Sequence, residues 1–276
     1  METINLGTTI KVQRKKQHLS QKELATDICT QPMISAIENN KYIPNGIILM
    51  KILQRLNVSL NEINLDGNFS ISSKHEVNQQ MENFCNTHQY QKLYQLLISE
   101  ETQNLIDNDL QTQAYYYYLA IAILQTTGDL SKAIRNLKLS LAAKTNSEKS
   151  ELLIRLVKVS LAYIASLQNQ PNKMNNYIDE ALTGMKDLRF NKDQIVIYYL
   201  AALSKYELKD YLTTITLIDK LISFATEYNS HYMLANAYYL LALAAAKTDQ
   251  TVLFKEAQAR EKMLSSLFGE KIFKKI

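Results

Sequence analysis

Leu19-Ser20-Gln21-Lys22-Glu23-Leu24-Ala25 and, past a short break, Thr30-Gln31-Pro32-Met33-Ile34-Ser35-Ala36-Ile37-Glu38-Asn39 decide how the first part of the chain folds. Ser20 and Glu23 have capping-box spacing: the serine hydroxyl can accept from the Glu23 N–H while the glutamate reaches back to the Ser20 N–H. Leu24, Ala25 and Ile28 then supply one apolar face. Thr30 suits an N-cap, and Pro32 falls in the first turn of a helix over 31–39, where its missing N–H costs little. Ile34 and Ile37 point inward, which leaves Gln31, Pro32, Ser35 and Ala36 on or near the outer face.

Outward from this pair of helices, Leu6 and Ile10 give a preceding helix an apolar face, and Lys11, Arg14, Lys15 and Lys16 make its end basic. Asn39-Asn40-Lys41 closes the outer helix, Asn40 being a tolerable left-handed residue. A fourth helix is expected from about 45 to 56, and Ser59-Leu60-Asn61-Glu62 is a second capping box that opens a short fifth. Residues 1–66 therefore read as a five-helix domain, with eight Lys/Arg against six Asp/Glu. That charge is mild for a nucleic-acid binder acting alone, so dimerisation is expected.

The runs 19–25, 33–39 and Val58-Ser59-Leu60-Asn61-Glu62-Ile63 resemble the lambda-repressor-type (Xre-like) helix-turn-helix over the whole domain. In that family the third helix lies in the major groove of double-stranded DNA with its N-terminal residues at base edges. The resemblance implies base-reading places at Gln31, Pro32, Ser35 and Ala36; Gln31 could meet adenine in a bidentate manner. It implies phosphate contacts at Gln21, Thr30, Asn40 and Lys41, and a buried ion pair between Arg14 and Glu38. Asn40 departs from the glycine usual there.

Asp66-Gly67-Asn68 breaks the pattern, and residues 67–106 read as connecting helices, with Val77, Met81 and Phe84 at helical spacing. Residues 107–276 repeat. Helix ends fall at Gly128-Asp129, Asn169-Gln170, Lys209-Asp210 and Thr248-Asp249, and positions 129, 170, 210 and 249 are 41, 40 and 39 residues apart. Each break follows an apolar helix rich in Tyr and Ala and precedes a more polar one, the pattern of an α-solenoid. The array resembles tetratricopeptide repeats, most clearly at Gly128-Asp129-Leu130-Ser131-Lys132-Ala133-Ile134. Stacked pairs present a concave groove suited to an extended peptide. Candidate groove residues are Tyr118, Tyr199 and Tyr238, with Gln194 and Asn236 nearby, whose amides can donate to and accept from a peptide main chain. Packing between repeats is the other reading of these positions. Arg155 and Lys158 could meet a peptide carboxylate or be solvated charges. Residues 268–276 carry Phe268, Ile272, Phe273 and Ile276 among lysines, as a capping helix or an exchange segment would.

The 276 residues include six Gly and three Pro, so long uninterrupted elements and an all-α chain are expected. Two cysteines cannot build a disulfide framework, and no apolar run approaches a membrane span, which reads as a cytoplasmic protein. The glycines form no phosphate-cradling motif, and His18, His75, His88 and His231 are too scattered for a metal site. No catalytic constellation, metal or cofactor is expected.

An Xre-like domain followed by degenerate tetratricopeptide-like repeats resembles the arrangement of the Rgg/PlcR/PrgX group of Gram-positive regulators. The resemblance implies a homodimeric transcription regulator, not an enzyme, whose DNA binding is switched by a short signalling peptide of the quorum-sensing kind. A regulator controlled by a protein partner, or a repeat scaffold that no longer binds DNA, are the alternatives.

Overall fold

The computed structural model describes residues 6–39, 41–58 and 69–273, and among these there are helices and no strand. The chain divides into two compact units, Met1–Asn68 and Phe69–Ile276. Asn40, the capping box at 59–62 with its fifth helix, and the break at 66–68 lie outside the described residues.

The first unit contains α1 (Leu6–Lys16), α2 (Gln21–Ala25), α3 (Gln31–Glu38) and α4 (Gly46–Arg55). Both bonds of the Ser20/Glu23 capping box form, and Thr30 accepts from the Met33 N–H to start α3. Asn45 caps α4 in the same way. Leu6, Ile10, Leu24, Ala25, Ile34, Ile37, Ile52 and Leu53 make one core, with Cys29 half-buried at its edge. Burial pushes the Cys29 thiol pKa up, as fits a packing residue.

The second unit stacks helix pairs: α5 (His75–Asn86) with α6 (Tyr90–Ile98), then, after the short α7 (Glu100–Gln103), α8 (Asp109–Thr126) with α9 (Leu130–Ala142). There follow α10 (Glu148–Leu167) with α11 (Pro171–Leu182), α12 (Asp193–Glu207) with α13 (Tyr211–Glu227), and α14 (Leu234–Lys247) with α15 (Thr251–Phe268). The turn inside each pair carries one residue in the left-handed region: His88, Gly128, Asn169, Lys209 and Asp249, all with φ between 54° and 67°. These positions are 40 or 41 residues apart. The last spacing, anticipated as 39, is therefore 40, because Asp249 matches Lys209 and its successor Gln250 matches Asp210. The same register places α5 and α6 as the first repeat, and their Met81, Leu93 and Leu97 join the core of the whole array. In four of the five turns, the N–H after the left-handed residue donates to a carbonyl five residues earlier, as from Gln170 to Ala165 and from Asp210 to Lys205. That bond satisfies a helix-end carbonyl that would otherwise be orphaned.

The array curls enough for its first pair to meet its last two. Lys192, at the start of α12, pairs with Glu82 of α5 at 2.8 Å, and the Tyr232 hydroxyl donates to Asn86 at 3.5 Å. Gly269, left-handed, ends α15, and residues 269–273 run on without helical structure. Of the capping helix expected at 268–276, Phe268 belongs to α15 and residues 269–273 are not helical.

Candidate nucleic-acid interface and repeat groove

In the first unit the α3 face that carries Gln31 and Pro32 is exposed, Ser35 and Ala36 are half-buried, and Ile34 and Ile37 hold the opposite side in the core. The Arg14 guanidinium grips the Glu38 carboxylate twice, Nε to Oε1 at 2.5 Å and Nη2 to Oε2 at 3.0 Å. A further Arg14 N–H donates to the Leu19 carbonyl at 2.6 Å. Burial alone would raise the Glu38 pKa; hydrogen bonds from Arg14 and Gln21, with the charges of Arg14 and Lys11, outweigh it and hold the carboxyl below its ordinary value.

Gln21, expected at a phosphate, uses both ends of its side chain inside the unit. It donates to Glu38 Oε2 at 2.8 Å and accepts from the Gln31 amide at 2.7 Å. Its place between α2 and α3 explains this: it is the bridge that orients Gln31. The Gln31 amide keeps a second hydrogen and its carbonyl oxygen for another partner. Thr30 and Lys41 are exposed, and the Lys41 N–H donates to the Ala36 carbonyl, closing the turn after α3. The sequence reading missed Arg55, whose guanidinium donates to the Thr26 carbonyl and ties α4 to the end of α2.

In the repeat unit, several expected groove residues are committed elsewhere. Arg155 donates to the Ala181 and Thr183 carbonyls and pairs with Glu151, so it closes the end of α11 and is no open cation. Gln194 accepts from the Asn191 N–H and donates to the Met185 carbonyl, pinning the turn before α12. Gln113, two repeats earlier at the same register and unremarked in the sequence, exchanges bonds with Ser150. Tyr238 lies under Arg260 of α15, which donates to its hydroxyl, so the register equivalent of Tyr118 and Tyr199 is the half-buried Tyr239. Tyr199 is 2% exposed and its hydroxyl has no hydrogen-bond partner. Tyr118 keeps partial exposure, and Lys158 pairs with Glu180 at 3.0 Å on the surface. Asn236 is buried and bonded to residues 270–273.

What the sequence did not reveal is a polar cluster where α5 faces α8 and α12. Burial drives the Tyr118 hydroxyl pKa well up, with the nearby Cys85, Asp193, Tyr117 and Glu82 adding to it. Burial also raises Asp193 from 3.8 to about 6, Lys192 opposing and Glu82 reinforcing the shift. Tyr118, Asp193 and Tyr232 nevertheless retain some exposure. Groups that are desolvated yet reachable are what the inner wall of a groove presents. No local motif marks this cluster, because its members come from separate repeats.

Among the described residues no helix is long and apolar enough to cross a membrane, and no group of three or more His, Cys, Asp or Glu could hold a metal ion. Residues 10–63 match the helix-turn-helix family model. No curated protein matches the sequence. The whole chain is similar in structure to PlcR of Bacillus thuringiensis in complex with the peptide PapR7 and DNA, with 20% identity, a TM-score of 0.63 and 96% of each chain covered. It is also similar to apo PlcR, at 16% identity and a TM-score of 0.58 over 96% of this chain and 95% of that one. The apo competence regulator ComR of Streptococcus vestibularis matches at 17% identity and a TM-score of 0.50, over 96% and 93%. The chain therefore joins a helix-turn-helix domain to the helical-repeat fold of these regulators.

Proposed function

From a helix-turn-helix domain joined to the repeat fold of PlcR, we propose a cytoplasmic, non-enzymatic transcription regulator that binds double-stranded DNA as a homodimer and is switched by a short peptide held in the repeat array. The observation that carries this reading is the match over 96% of both chains to a structure of PlcR with peptide and DNA. Exposed Gln31 and Pro32, with Ser35 and Ala36 beside them, are the base-reading residues; Thr30, Lys41 and the outlying Asn40 contact phosphate. Ile43, Ile47 and Met50 are exposed on the α3–α4 loop and α4, apolar surface that supports association of two copies.

The peptide, on the order of five to ten residues, is taken up along the inner wall with Tyr118, Asp193 and Tyr232. It switches the protein only by binding one arrangement more tightly than the other; equal affinity would shift nothing. The test is a gel shift of the full chain on the DNA upstream of its own gene, with and without short peptides encoded nearby. A specific shift that changes with one peptide supports the reading. A specific shift unmoved by any peptide transfers control to a protein partner, and absence of binding across the genome leaves a repeat scaffold.

A further inference from the structure

Residues 269–273 are held the way a protein holds a bound peptide. Asn236 pairs with their main chain from both sides of its amide: Nδ2 donates to the Lys271 carbonyl at 3.1 Å and Oδ1 accepts from the Phe273 N–H at 2.7 Å. These are the carbonyl and N–H of residues two apart, the pair that a neighbouring strand would engage. His88, in the turn between α5 and α6, bonds the same Lys271 carbonyl through Nε2 at 2.9 Å, and its ring lies 5.8 Å from that of Phe273.

The side chains are read as well. α14 begins after Met233, which is left-handed and contributes no side-chain cap. The missing cap comes from Glu270, whose carboxylate accepts from the Ala235 N–H at 3.1 Å, the Asn236 N–H at 3.0 Å and the Asn236 side chain at 2.5 Å. A carboxylate on free N–H groups at a helix start is favoured by both hydrogen bonding and the helix dipole. Three residues on, Phe273 and its neighbour Ile272 line a cavity of about 440 Å³ together with His88 and Tyr90. The unpartnered Tyr199 hydroxyl lies in the same neighbourhood, close enough for Glu270, Tyr90 and Tyr239 to influence it.

Every contact made by residues 269–273 could equally be made by a separate chain, since the segment has no helical structure and is joined covalently to the array only through Gly269. We propose that this segment is a displaceable internal ligand, and that the site it fills accepts extended peptides with a carboxylate side chain followed three residues later by a large apolar one. The inference deepens the peptide-responsive reading and shares with it only the claim that the array binds extended peptide; neither DNA nor the natural signal enters its test.

The probe is a synthetic peptide of residues 269–276, fluorescently labelled for binding and unlabelled for exchange. In the wild-type full chain, saturating probe is expected to speed hydrogen exchange of the chain's own Phe273 amide at least fivefold, because that N–H loses Asn236. An exchange rate unmoved by probe overturns the proposal. By anisotropy, the full-chain variant Glu270→Gln is expected to bind labelled probe at least tenfold more tightly than wild type, while a probe carrying the same change loses at least tenfold. Equal affinities for wild type and variant, or saturable binding to neither, also overturn it. Should Glu270→Gln fail to fold, the wild-type exchange measurement decides alone.

Discussion

Arg14 and Glu38, 24 residues apart in sequence, meet through two hydrogen bonds and bind α1 to α3, with the glutamate side chain fully buried. Through Gln21 the same carboxylate also fixes Gln31, so the N-terminal end of α3 that would read DNA is aligned by a charge pair anchored at the helix's other end.

Removing one partner of such a pair leaves a buried charge uncompensated. Arg14→Ala is expected to cost about 3 kcal/mol in urea unfolding of the first unit, and Glu38→Gln a comparable amount. The pH dependence follows in sign. Because the native Glu38 pKa lies below its ordinary value of 4.5, its stabilisation is fully present above that value and is lost as pH falls through the native one. Glu38→Gln should flatten this acid limb; an unchanged acid limb would show that another carboxylate causes it.

Gln31 and Lys41 should fail differently. Gln31→Ala is expected to lose about 1–3 kcal/mol of affinity for the specific operator and little for unrelated DNA. Lys41→Ala should weaken both alike and reduce the slope of log affinity against log salt by about one. Gln21→Ala, with its side chain bonded to Gln31 at 2.7 Å, should weaken specific binding while leaving that slope unchanged. Competition gel shifts at three salt concentrations separate the three outcomes.

The repeat turns make a prediction about backbone alone. Gly128 is left-handed, and a Cβ built there meets nothing within 4 Å, so Gly128→Ala should cost about 1 kcal/mol through conformation only. Lys209 occupies the equivalent place at φ 63°, and Lys209→Gly should recover a similar amount. Thermal melts of the two variants should therefore move in opposite directions; movement in the same direction would refute a shared register.

These turns also show how far the sequence could be read. Gly128-Asp129 and Asn169-Gln170 were legible because turn residues carry local chemistry, and the capping box at Ser20 and Glu23 for the same reason. His88 was not, since histidine has no particular turn preference, although its distance of 40 residues from Gly128 was available. The groove was legible as an architecture and not as a residue list. Tyrosines and amides on apolar helices serve packing and binding alike, and Arg155, Gln194 and Asn236 turned out to close the chain on itself. The Glu82–Lys192 pair spans 110 residues, a separation at which periodicity carries no information.

Asp193 offers a measurable consequence of that closure. Its carboxyl titrates near 6 in the folded protein against 3.8 ordinarily, because burial between α5 and α12 disfavours its charge more than Lys192 restores it. A native pKa above the unfolded one means that the folded state holds the proton longer, so stability declines as pH rises from about 4 to about 6 and stays reduced above that. Asp193→Asn removes the charge and should stabilise the repeat unit at pH 7.5 by about 1–2 kcal/mol, a full shift of this size being discounted for the partial exposure of the side chain. At pH 4, where wild type is itself protonated, the advantage should vanish. Chemical unfolding of both proteins at the two pH values is the measurement. A constant difference between them would mean that the substitution acts through packing and not through the charge, whereas a difference confined to the higher pH would locate an uncompensated carboxylate on the inner wall, where a peptide bearing a positive group would be favoured.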